Sequence, residues 1–366
     1  MCILAQWAAM IHPRTLACGL LLVVLPVGCD SSPVTPTDSG TMPDASAPAD
    51  AFVPVDAGQP CQGPPGLYVE GSCDVLALGL RSFRPRYQLW SDGSTKDRYI
   101  YLPPGTRIDT TDPDRWVFPQ GTRIYKTFSQ EIGGVMTRLE TRLLEKVGDR
   151  PGVSSWQMRT FGWNAAQDEV HEVMVGEQDV LGTMHDIPAR ADCVQCHTGA
   201  ALDTVNGFGA LQLNHELGGV TLRTLLDEGL FTTPIALADA QFPGDQVTQD
   251  ALGYLHANCG SCHGGSAPQQ QLALWSQVGV TNLADTQVFM TAICQCSGFT
   301  AGDATLRIDP GSADTSVLVR RMDTREIGAM MPPLATEVLH PEGLAAVRAW
   351  IDALDPTANG CPLTCP

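Results

Sequence analysis

The chain has 366 residues, 43% apolar and 17% charged, an ordinary globular composition with room for two or three domains and a sizeable core. Its formal net charge of −18 argues against a nucleic-acid partner, because no cationic surface is available for phosphate. No G-x-x-x-x-G-K-[ST], H-E-x-x-H or G-x-S-x-G occurs, so nucleotide, zinc-protease and serine-hydrolase chemistry lack their motifs.

Residues 1–29 are expected to be a signal peptide. After Arg14 runs "TLACGLLLVVLPVGCDSS", of signal-peptide length but too short to cross a bilayer comfortably. It resembles a bacterial lipoprotein signal, which implies lipidation of Cys29 as the first mature residue and attachment to a membrane. Pro26 departs from that motif's Leu, and ordinary signal-peptidase cleavage is the alternative. Either route exports the protein to the periplasm or cell envelope. Residues 30–60 hold no Lys or Arg and one aromatic, Phe52, among many Pro, Ala, Asp, Ser and Thr. Such a segment cannot bury enough apolar surface to offset its ordering entropy, and a disordered linker is expected.

Residues 61–188 predict a β-rich, sandwich-like domain. "RYIYLPPGTRI", "WVFPQGTRIYKTF", "VMTRLETRLLE" and "WQMRTFGW" are short β-prone runs between turn residues. Val135, Thr137, Leu139, Thr141 and Leu143 alternate toward one face, and Trp90, Trp116, Trp156 and Trp163 suit an antiparallel core. "DTTDPD" at 109–114 could bind calcium, but an acidic Pro-containing turn needs no ion.

Two pentapeptides, "CVQCH" at 193–197 and "CGSCH" at 259–263, carry the chemistry. One C-x-x-C-H should arise by chance in roughly one such chain in a hundred, and two far more rarely. Zinc knuckles want four ligands at close spacing, whereas 66 residues separate Cys193 from Cys259 and each pair has its own histidine. A redox dithiol does not need that histidine. Covalent haem uses every letter: each thiol adds to a vinyl group and the adjacent imidazole binds the iron. Cys193, Cys196, Cys259 and Cys262 are therefore the expected attachment points of two haem c groups, with His197 and His263 as proximal iron ligands. Residues 189–242 form the first haem-binding segment in this reading, 243–358 the second, and 359–366 a tail.

"VTQDALGYLHANCGSCH" places Val247, Ala251, Leu252 and Leu255 on one helix face running into the second motif. "GAMMPPLATE" follows, then "HPEGLAAVRAWIDALD", where Pro341 opens a helix with Leu344, Val347, Ile351 and Leu354 on one stripe. This order resembles the class I cytochrome c fold. The resemblance implies Met331 as the distal ligand of the second haem, in preference to Met330, and a helix crossing built from Gly253, Tyr254 and Trp350. The first motif has no Met-Pro partner. His215, Met184, His185, Met174 and His171 are the candidates for its sixth ligand, and a five-coordinate iron open to a small molecule is the alternative.

"LWSDGSTKDRYIYLPPGTRI", "FPQGTRIYKTF", "TRLL", "IPAR-DCVQCH" and "QLN" resemble a bacterial family of dihaem c-type cytochromes without a settled reaction. The resemblance covers most of residues 67–354. "FPQGTRIYKTF" is also similar to monohaem oxidases in which a lysine crosslinks to haem. Lys126 would hold that place, but the first motif begins 67 residues later, and a solvent-facing strand lysine is the simpler expectation.

The chain has thirteen cysteines. Cys2 and Cys18 leave with the signal, Cys29 takes the lipid, and four serve the motifs. Cys61, Cys73, Cys294, Cys296, Cys361 and Cys365 remain for disulfides in an oxidising compartment. Cys61–Cys73 and Cys361–Cys365 are the pairings nearest in sequence, and the connectivity stays open.

The expected whole is an α+β multidomain electron carrier: a β-rich domain, then mainly helical cytochrome c-like segments, serving an unidentified redox partner protein. A haem enzyme of peroxidase or oxidase type, using an open first site, is the alternative.

Overall fold

The computed structural model describes residues 60–199, 203, 205–264, 271–334, 336–357, 361 and 365. The expected signal segment and Cys29 anchor, nearly all of the expected linker and most of the expected tail lie outside these residues. The architecture is α+β, with a β-rich part preceding most of the helices.

Six strands form one antiparallel meander: β1 (Arg81–Ser82), β2 (Thr95–Tyr101), β3 (Arg123–Ile132), β4 (Val135–Lys146), β5 (Trp156–Trp163) and β6 (Val170–Glu172). Gly133 and Gly134 join β3 to β4 with φ of 60° and 84°, the positive values a two-residue hairpin turn requires. A register shift between Phe128 and Ser129 interrupts the β4 alternation. Leu139, Thr141 and Leu143 are buried, whereas Val135 is exposed at the hairpin tip.

One face of the sheet carries Ile100, Ile124 and Leu144 in register across β2, β3 and β4. These residues enter a core with Trp116, Phe118, Val205, Phe208, Leu222, Leu225 and Phe231. The second layer is therefore not a second sheet, as a sandwich would need. It is the segment 205–240, with two short helices within it. The opposite face buries Tyr125, Leu143 and Phe161 beneath Leu67 from the preceding loops. Of the four tryptophans, Trp116 and Trp163 are core residues, Trp156 is partly buried and Trp90 stacks instead on His340, 4.1 Å between ring centres.

The helices are α1 (Cys193–His197), α2 (Ala210–Leu213), α3 (Leu222–Asp227), α4 (Gln246–Asn258), α5 (Gln287–Ala292), α6 (Val317–Met322) and α7 (Pro341–Ala353). Asp245 caps α4 by accepting from the Thr248 amide, and Pro341 opens α7 where its missing N–H is harmless. Leu252 and Leu255 of α4 share a core with Val347, Trp350 and Ile351 of α7 and with Val319 of α6, while Val247 stays exposed. The α4–α7 crossing uses Tyr254 against Gly343, where any Cβ would collide with the ring; Gly253 instead receives Tyr87. A two-stranded ribbon, β7 (Cys296–Ala301) with β8 (Ala304–Leu306), lies between α5 and α6. No helix among the described residues is long and apolar enough to cross a membrane.

A buried ion pair ties the sheet to its second layer. Lys146 Nζ donates to both oxygens of Asp203 at 2.7 and 2.6 Å, and Asp203 also accepts from the Phe118 and Gly152 amides. These hydrogen bonds satisfy a charge pair that burial alone would disfavour. The "DTTDPD" turn is likewise satisfied by the chain. Asp109 accepts from Thr111 and Thr232, Asp112 from the Asp114 amide, and Asp114 from the Val278 amide.

Candidate functional site

Cysteine pairing defines the site by subtraction. Cys61 bonds Cys73, Cys294 bonds Cys361 and Cys296 bonds Cys365. Cys361 and Cys365 thus do not bond each other: α5 and the ribbon bring Cys294 and Cys296 beside them. Among the described residues the free cysteines are Cys193, Cys196, Cys259 and Cys262, the four of the two motifs.

The motifs, 66 residues apart in sequence, lie in contact. Cys193 to His197 form the short helix α1, while Cys259 caps α4 and its carbonyl accepts from the Cys262 and His263 amides. Cys262 Sγ lies 3.5 Å from the Gln195 carbonyl and is hydrogen-bonded to the Cys196 thiol. Gly199 makes this approach possible, since a Cβ there would strike the Ser261 carbonyl. The Cys196 hydrogen bond lowers the Cys262 thiol to about 6, and the same bond, with burial, raises Cys196. Burial pushes Cys259 up to about 12 and raises Cys193. Among the described residues no three His, Cys, Asp or Glu side chains gather as a metal cage.

The second motif sits in an apolar frame. His263 has its Nδ1 buried without a hydrogen-bond partner, and burial, then the charge of Arg321, lowers its pKa. Arg321 also places the Met-Pro-Pro loop: its carbonyl accepts from the Met331 amide at 2.8 Å and its Nε donates to the Ala329 carbonyl at 2.8 Å. Arg325 donates to the Met331 carbonyl at 3.1 Å. Met330 and Met331 are both half-buried. Arg321 thus holds the Met331 amide through its backbone carbonyl, while its side chain holds Ala329 and acts on the His263 ring.

At the first motif, Asn206 donates to the Cys196 carbonyl at 3.2 Å, and His197 is half-buried. The three candidate histidines are engaged elsewhere. His185 is buried, with Nε2 at 2.8 Å from Glu140 and Nδ1 at 3.1 Å from Ser94 Oγ. His215 bonds the Arg84 carbonyl through Nε2, and its Nδ1 accepts from the Leu217 amide. His171 meets Glu177 at 2.5 Å in solvent. Met174 and Met184 are exposed, and Met174 accepts a weak contact from Arg190.

The sheet supplies the closer neighbours. Arg142 and Lys126 both exert their charge on Cys196, and Arg142 also acts on Cys193. Lys126 is half-buried on the face turned toward the motif, not a solvent-facing strand residue. Burial, then Arg98 and Arg142, holds its amine well below the usual lysine range. Burial alone would raise the Glu140 carboxyl, but a bidentate contact from Arg142, with His185, holds it at about 2.

The motif-based reading did not single out Lys96, Arg98, Arg142 or His256. Lys96 and Arg98 alternate along β2, but their clustering with Arg142 of β4 depends on register. His256, on α4 and seven residues before His263, is buried against Trp275, and its Nδ1 accepts from the Ser276 amide. That bond places the ring proton on Nε2, so His256 is not disposed as an iron ligand.

No family model matches the chain, and no curated protein or solved structure is significantly similar to it.

Proposed function

We propose that this protein is an exported, lipid-anchored dihaem c-type cytochrome that passes electrons between envelope redox proteins. One observation carries the reading: six of the described cysteines are joined in disulfides, and the four left free are those of two adjacent C-x-x-C-H motifs. Paired cysteines also support an oxidising compartment, and with it export.

Haem would supply a one-electron iron couple at each motif. In this reading Cys193 and Cys196 hold the first group and Cys259 and Cys262 the second, with His197 and His263 as proximal ligands. His263 is held mostly buried beside the four free thiols, and the bond from its ring to the Leu272 backbone is the contact an iron at that nitrogen would replace. Met331 would supply a soft thioether as the second haem's other protein ligand, which would favour the reduced iron more than a second imidazole would. The α4–α7 crossing and the Met-Pro-Pro loop support a class I cytochrome c-like segment over 243–358. Contact between Gln195 and Cys262 brings the two motifs together, which would suit transfer between groups held there.

A haem enzyme is the second reading, favoured by the engagement of His171, His185 and His215 with other partners. An unligated sixth position at the first iron would admit a small molecule.

Intact mass with a pyridine haemochrome assay on the exported protein tests the core claim. Two covalent haems are expected, and none, with stoichiometric zinc instead, refutes it. Carbon monoxide added to the reduced protein separates the readings: prompt binding at one haem supports the enzyme, and two inert low-spin haems support the carrier.

A further inference from the structure

Across the centre of the sheet, Arg98 of β2 stands opposite Lys126 of β3, which stands opposite Arg142 of β4. Three cations in register on adjacent strands repel one another, an arrangement that destabilises a sheet unless something compensates it. Lys96, two residues before Arg98, adds a fourth on the same face. The apolar row beside them, Ile100, Ile124 and Leu144, is covered by the second layer, so the charges are not at an outer surface by default. Arg98 is 4% exposed.

The carboxylate bonded within this group is Glu140, which Arg142 and His185 share. Arg98 donates to Gln88 and to the Lys96 carbonyl, and Lys96 to the Ser94 carbonyl. Asp92 and Asp97 act on Lys96 and Arg98 only through space. Lys126 has no salt bridge among the described residues, and its Nζ lies over the Phe128 ring at 4.6 Å. Buried charge without a counter-charge is costly, so the surplus points to an absent anion.

Arg98 and Lys126 line a cavity of about 60 Å³ together with Asn206, the residue that donates to the Cys196 carbonyl, and with Asp114 and Asp203, whose carboxylates are already held by the Val278 amide and by Lys146. A water needs roughly 15 Å³ measured this way, so the space admits a carboxylate and not a macrocycle. We propose that Arg98 and Lys126, with Arg142 and Lys96 in register beside them, form a carboxylate-binding site at the first motif. Its occupant is the propionate groups of the haem proposed there or a free small oxyanion. The propionate form rests on the dihaem reading; the oxyanion form does not. Arginine forks suit either, since both present planar or near-planar oxygen pairs.

The test compares the wild-type full-length protein with Lys126→Gln and Arg98→Gln, and with Arg159→Gln on the opposite sheet face as control. Haem content is counted first, so loss of the dihaem reading registers separately. With haem present, each haem is titrated potentiometrically, and the ferric Soret band is followed while acetate and phosphate are added at fixed ionic strength. Propionate occupancy predicts that Lys126→Gln and Arg98→Gln lower one midpoint potential, leave the other unmoved and create no anion response. Free-oxyanion occupancy predicts saturable binding to the wild type, weakened roughly tenfold or more by either substitution. If the protein carries no haem, calorimetry with phosphate on the same variants decides the oxyanion form alone. Unchanged potentials with no anion binding, or equal effects in Arg159→Gln, overturn the proposal.

Discussion

The two C-x-x-C-H motifs differ less in their own five residues than in what surrounds them. The second lies at the end of a thirteen-residue helix whose apolar side meets α7 and α6 in a common core. The first is a single helical turn lying against a sheet face that carries four cations and one bonded carboxylate. A motif set in an apolar frame is suited to a fully ligated, shielded iron. One that faces buried charge is suited to holding an anion, and its chemistry depends on what fills that space.

The largest expected effect separates the motifs outright. Cys259→Ala/Cys262→Ala should remove one haem by mass and abolish the spectral signature that Met331→Ala alters. Cys193→Ala/Cys196→Ala should remove the other haem and leave that signature intact. Loss of both haems from either double variant would show that the motifs do not act as independent anchors.

Next comes the clamp behind the first motif. Asp203→Ala leaves the Lys146 ammonium buried and unpaired and should cost about 3–5 kcal/mol in a denaturant titration. A loss below about 1 kcal/mol, the scale of a surface pair, would mean that water reaches Lys146. On the other side of the molecule, Cys296→Ser/Cys365→Ser opens a link spanning 69 residues and should cost about 2–4 kcal/mol. Hydrogen exchange should then rise in α5 and α6 while β3 and β4 keep their protection.

The smallest effect is in pH. Burial lowers His256 to about 4 from an unfolded value near ~6.5, so its neutral form contributes stability that is lost as pH falls between these values. Glu140, held at about 2, contributes stability that is lost only below the unfolded carboxyl range near ~4.3. Hydrogen exchange at pH 5 should therefore loosen α4 before β4, and His256→Phe should remove the difference. Simultaneous loosening would contradict the separation.

Much of this was legible in local pattern. The strands, α4 and α7 follow from short-range periodicity, from Asp245 and Pro341, and from the paired glycines at 133–134. Pairings set by tertiary structure were not. Cys361 lies four residues from Cys365, yet the ribbon delivers Cys294 and Cys296 to them instead. Lys126 looks like a solvent-facing strand residue until Arg98 and Arg142 are seen opposite it. The sandwich expectation failed for a similar reason: alternation marks a buried face without saying whether a sheet or a helical segment covers it.

The contact between Cys196 and Cys262 has a consequence for biogenesis. Cys294 and Cys296 are synthesised 67 and 69 residues before their partners, so they wait unpaired in the same compartment as the four motif thiols. The Cys196 and Cys262 thiols already touch, so an oxidant of that compartment that converts either to a mixed disulfide presents the other with a sulfur to attack, releasing the oxidant's own thiol. A bond between them would close the wrong loop and block both motifs at once. Prompt attachment of the proposed haems would therefore also act as a protecting group, keeping oxidation on course toward the three native disulfides.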